Sequence, residues 1–86
     1  MHNIIVRDVK ELEQYYARLK DAKESVEKLL EKLRDDCRDQ ERNWEDDQYR
    51  VFEEKLTEFI DSVDNVMKDE LKEAMQVVEG VLKRLQ

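Results

Sequence analysis

The sequence predicts an all-α protein, an antiparallel two-helix hairpin that dimerises into a four-helix bundle. Three observations carry this. The 86 residues contain no Pro and a single Gly, which removes the usual material of strand turns and linkers. Charged residues make up 45% and hydrophobic ones 40%, the composition of a long helix or coiled coil rather than of a conventional enzyme core. Apolar residues recur at steps of three and four in two segments separated by a stretch that has none. The expected organisation is one domain, with helix one over about 5–38, a turn over about 39–43 and helix two over about 44–85.

Helix one follows from Ile5, Val9, Leu12, Tyr16, Leu19, Val26, Leu30, Leu33 and Cys37, a heptad stripe interrupted only by Lys23. At that position a lysine buries its stem and keeps its ammonium in water. The turn follows from Arg38 to Asn43, six residues without an apolar member. Asn43 is a preferred N-cap residue, and Asp46 three positions later can complete a capping box. Glu45, Asp46 and Asp47 then place negative charge against the positive end of the helix dipole, so helix two is expected to start at Trp44. Arg34, Arg38 and Arg42 suit the C-terminal end of helix one in the same way. A single uninterrupted helix is the competing reading, since Cys37, Trp44 and Val51 are seven apart. It would be ~120 Å long and would need a partner along its whole length.

Helix two follows from Tyr49, Phe52, Leu56, Phe59 and Val63. Its rhythm then changes to Met67, Leu71, Ala74, Val78, Leu82 and Leu85, closer to an eleven-residue repeat. Gly80 lies inside the pattern and costs ~1 kcal/mol relative to Ala.

Apolar residues also come as neighbours: Tyr15-Tyr16, Leu29-Leu30, Val51-Phe52, Phe59-Ile60, Val66-Met67, Val77-Val78 and Val81-Leu82, with Ile5-Val6 at the start. Adjacent residues sit ~100° apart on a helix, so these doublets widen the stripe beyond what a two-helix seam covers. Tyr16, Leu30, Phe59, Ile60, Val66, Met67, Val78 and Leu82 are accordingly the expected interface residues, facing a second copy or a related hairpin.

Little chemistry is legible. The net charge of −7 lacks the clustered Lys and Arg that nucleic acid or an anionic membrane would require. No segment approaches the ~20 apolar residues of a membrane span, and the first residues do not form a Sec-type signal. The expected location is therefore the cytoplasm or, without a Sec signal, outside the cell. The only histidine, His2, stands at a terminus, which leaves no catalytic triad and no Glu-x-x-His metal site. Cys37 has no partner to activate it and is expected to be structural or at an interface. Asp35-Asp36, Glu45-Asp46-Asp47 and Asp61/Asp64 lack the ligand alternation and central Gly of a calcium loop. The expectation is no catalytic residue, no cofactor and no metal.

Two helices, a mid-chain Trp at the connection and an aromatic eight residues later make the chain resemble the WXG family. These are small helical hairpins exported by type VII secretion systems, exemplified by the early secretory antigenic target. Trp44 and Phe52 take the positions of the family's bend Trp and following Phe, while Asp46 replaces the Gly of Trp-x-Gly. The family's Tyr-x-x-x-Asp/Glu export signal after helix two has no counterpart beyond Leu85, so a partner would have to supply it. Tyr49 and Glu53 match its spacing at the opposite end of the helix. The resemblance implies a non-enzymatic protein that pairs with itself, a related hairpin or a secreted effector. In it Asn43, Trp44, Asp46 and Phe52 organise the bend. The rival reading is an intracellular coiled-coil adaptor or assembly subunit that shares only the shape.

Overall fold

The computed structural model describes residues 3–86. They form an all-α antiparallel hairpin: helix α1 (Val9–Asp39), a short 3-10 turn (Gln40–Arg42), then α2 (Gln48–Val66), a π-helical turn (Met67–Leu71) and α3 (Lys72–Leu85). The last three elements run end to end as the second arm, packed along α1. The hairpin measures 60 × 23 × 14 Å.

The first helix starts later than its apolar stripe suggests. Asp8 sits in extended conformation and accepts the Glu11 backbone N–H on Oδ1 at 3.0 Å. A side-chain cap of this kind satisfies a donor that the first turn leaves free and so sets the boundary. The sequence Asp8-Val9-Lys10-Glu11 is the acidic equivalent of a capping box, a signal overlooked because Ile5 extends the heptad one turn upstream. Ile5 is instead exposed. His2 lies outside the described residues.

The seam between the arms is built from Leu30 and Cys37 of α1 against Tyr49, Ile60, Met67, Met75 and Leu82, all buried. Leu12, Leu19, Val26, Leu33, Leu56, Val63, Leu71 and Val78 lie half-buried between them. Lys23 is half-buried too, its ammonium 2.6 Å from Glu27 Oε1, which leaves the stem in the seam and the charge paired at its edge.

Two expectations for the second arm are corrected. Ala74 is exposed and Met75 takes its place in the seam, and Phe52 and Phe59 are exposed while Ile60 is buried. The buried order Ile60, Val63, Met67, Leu71, Met75, Val78, Leu82 contains consecutive steps of four, one residue more than a heptad accommodates. The π turn absorbs that residue. Its wider winding holds five residues where an α-helix would rotate the stripe away from α1, so Leu71 and Met75 stay in the seam. Gly80 faces open space, with nothing within 4 Å of where a Cβ would stand.

Candidate functional site

Two surfaces stand out from this frame: the hairpin tip and one edge of the hairpin.

At the tip, the chain reverses without a glycine and without any positive φ among the described residues. The Gln40 carbonyl accepts the N–H groups of Asn43 at 3.0 Å and Trp44 at 2.8 Å, closing the 3-10 turn. The Asn43 side chain donates to Gln40 Oε1 rather than accepting from the next helix. Asn43 is therefore not the cap of helix two, which starts at Gln48 instead of Trp44. The N-cap is Asp47, which makes no side-chain cap hydrogen bond; one residue earlier, Asp46 Oδ1 accepts the Gln48 N–H at 2.8 Å and the Trp44 indole N–H at 2.9 Å, satisfying a first-turn donor from just outside the helix. One carboxylate oxygen thus ends the turn and orients the indole. Asp46 supplies this fold-back, so the bend forms without a flexible residue in the left-handed region. Asp46→Ala is expected to lower stability by ~1 kcal/mol and Asn43→Ala by close to zero, as measured by urea denaturation. The reverse order would restore Asn43 as the cap.

The Trp44 ring is half-buried, with its centroid 5.7 Å from Phe52 and 5.8 Å from Tyr49, the latter edge to face. Such geometry suits the ring quadrupoles and makes the three aromatics one unit over the ends of both arms. Tyr49 is 5% exposed, and its hydroxyl lies 2.9 Å from both the Cys37 carbonyl oxygen and Glu53 Oε2, between which it donates. Burial first, then the hydrogen bonds to Glu53 and Cys37, push this hydroxyl well above the ordinary tyrosine range. Tyr16 is raised as well, chiefly by its hydrogen bond to Glu79. A folded-state value above the unfolded one means a contribution present below pH ~10 and lost as pH rises further. Thermal stability should therefore fall above pH 10, and less steeply in Tyr49→Phe than in the parent. The burial also decides the status of the Tyr49-x-x-x-Glu53 spacing: the tyrosine is a core residue bonded to that glutamate, not a displayed signal.

The doublets resolve into a second surface. In five of them the second residue enters the seam and the first stays outside: Tyr15, Leu29, Phe59, Val66 and Val77 are exposed beside Tyr16, Leu30, Ile60, Met67 and Val78. Most of the expected interface residues therefore belong to the contact between the two arms; only Phe59 and Val66 face outward. Cys37 likewise is buried within the hairpin.

The exposed members share one side. Two antiparallel helices meeting along a- and d-type positions bring e-type positions together on one edge and g-type positions on the other. The e-edge is polar: Arg34 Nη2 reaches Asp61 Oδ1 at 3.4 Å, Tyr16 donates to Glu79, and Lys20, Lys23, Lys68 and Lys72 line the cleft beside them. Tyr15, Ala22 and Leu29 of α1 and Phe52, Phe59 and Val66 of α2 hold the g-type positions, on the opposite edge. Among the described residues no group of three metal-ligating side chains occurs, and no helix is long and apolar enough to cross a membrane. The doublet pattern could have located this ridge, had the seam been drawn through Ile60 and not Phe59.

No protein-family model, curated protein or solved structure matches the chain.

Proposed function

We propose that this protein is a non-enzymatic helical hairpin of the WXG kind, working through protein–protein contact as a secreted factor or as the small partner of a secreted effector. The observation that carries the reading is the tip: Trp44 packs at a tilt against Phe52 at the bend between two long arms, and Asp46 anchors its indole. The lone cysteine is buried and has no activating base beside it, so the arrangement favours contact surfaces over covalent chemistry. A half-buried Trp at the end of a rigid hairpin offers a partner a preorganised aromatic anchor.

The test is export from the native host, comparing the tagged protein with Trp44→Ala and a cytosolic marker. Protein in the medium, lost in a Trp44→Ala variant that remains helical by circular dichroism, supports the proposal. Retention of both proteins inside the cell overturns the secretion part. One observation favours the second reading, an intracellular adaptor: the only tyrosine with the spacing of the export signal is buried.

A further inference from the structure

We infer that the aromatic surface at the hairpin tip docks a cationic peptide segment of another protein, with an arginine side chain lying on Trp44 and neighbouring basic groups meeting the carboxylates around it. This rests on the protein-contact reading above and names the chemistry of the partner at that same site.

The charge of the chain is concentrated at one end. From Asp35 to Glu54 there are nine acidic and three basic residues, a net −6, while the rest of the chain holds fourteen acidic and thirteen basic, a net −1. That stretch covers the end of α1, the 3-10 turn and the start of α2, so folding gathers it at one end of a hairpin 60 Å long. Such an end attracts cationic groups and repels nucleic acid, anionic lipid and the tip of a second copy alike.

Most of the charge there is uncommitted. Asp36 and Asp35 lie 4.0 and 3.9 Å from Lys32 and Arg38. Asp46 accepts from Trp44 and Gln48, and Glu53 from Tyr49. Asp39, Glu41, Glu45, Asp47 and Glu54 are exposed and, among the described residues, pair with no cation within 4.0 Å. Arg42 and Arg50, the remaining cations of the stretch, are exposed as well and leave the excess of carboxylates in place.

Carboxylates alone would select nothing, and among the described residues they form no group able to hold a metal ion. The selective element is the aromatic surface beside them. Phe52 is 43% exposed and Trp44 half-buried against it. A cleft of about 760 Å³ opens at Trp44, a size typical of binding clefts, and its walls carry six carboxylates and one cation, Arg50. The indole has a single donor, which Asp46 already occupies, so a partner meets the ring and not the N–H. The face of that ring is the negative end of its quadrupole, and a guanidinium stacks on it while pairing with carboxylates through its planar fork. Exposed Phe52 offers an aliphatic neighbour a place beside it. Tyr49, Phe52 and Asp46 hold the ring before any partner arrives, which lowers the ordering cost of binding.

The test is titration of the protein with a short synthetic peptide of alternating Arg and Leu at low ionic strength. Binding is read from the emission of Trp44, the only tryptophan, and from the anisotropy of a dye on the peptide. The peptide should bind and change the emission, and the same peptide with Glu in place of Arg should not. Glu41→Gln/Glu45→Gln/Asp47→Asn/Glu54→Gln should weaken binding about tenfold while circular dichroism stays helical. Removing four charges elsewhere, as Glu24→Gln/Glu31→Gln/Glu70→Gln/Glu73→Gln, should change it less than about twofold. Trp44→Phe, followed by anisotropy, should weaken it about threefold. Equal losses from the two fourfold variants would mean that net charge rather than the tip holds the peptide, and would overturn the proposal. Spermidine competing as tightly as the peptide would overturn it too, since a polyamine lacks the guanidinium and the aliphatic side chain. So would the absence of binding at ~1 mM peptide. Export without peptide binding would leave the secretion reading standing, and peptide binding without export would leave the tip site standing in an intracellular protein, so the two failures are separable.

Discussion

Ile60→Ala is expected to cost about 3 kcal/mol, and Phe59→Ala, one residue away, less than ~1 kcal/mol when both are measured at the same low protein concentration. Ile60 is 2% exposed, the most buried side chain of the described residues, and sits on the seam opposite α1. Truncation removes three carbons from a site packed against α1 and leaves a void in the seam. Phe59 is 55% exposed on the other edge and loses little burial within one chain. A two-helix hairpin of this size has a marginal core, so ~3 kcal/mol is a large share of its stability. Urea denaturation followed at 222 nm checks both. Equal losses at the two positions would mean that α2 is rotated from the orientation described.

Trp44→Ala should cost about 2 kcal/mol, roughly half of a full core truncation, in line with its half-buried ring. The loss has three parts: the edge-to-face contact with Tyr49, the tilted contact with Phe52 and the indole hydrogen bond to Asp46. Trp44→Phe keeps the aromatic contacts and loses only the hydrogen bond, so it should recover more than half of the difference. If Trp44→Ala proves neutral in denaturation, the ring contributes nothing to the fold, and any effect of the variant on export would then report recognition alone. Tryptophan fluorescence adds an independent reading, since a ring packed on Phe52 and Tyr49 should shift to the red on unfolding.

The tip shows why local signals can locate a turn and still misplace its chemistry. Asn43 and Asp46 are both good capping residues at a plausible spacing, and nothing local ranks one above the other. The choice depends on where α1 ends. The 3-10 turn through Arg42 carries the chain past Asn43 before it reverses, and only Asp46 then lies beside free donors. The ridge illustrates the same limit. A run such as Phe59-Ile60 states that two adjacent directions on the helix are apolar, not which of them points at α1.

What the sequence by itself determined was the class and the layout. An absence of Pro, one Gly, a heptad stripe from Ile5 to Cys37 and a second apolar stripe after a polar gap point to two long amphipathic helices that fold back on each other, with one uninterrupted helix as the competing reading. These are local and additive properties, legible from spacing alone. The tertiary structure decided the rotation of the second arm about its axis, which buries Ile60 and Met75 and leaves Phe52, Phe59 and Ala74 outside. That rotation depends on how both arms fill one seam together and on a π turn that absorbs one extra residue. Packing of this kind is a property of the pair, and neither helix carries it alone.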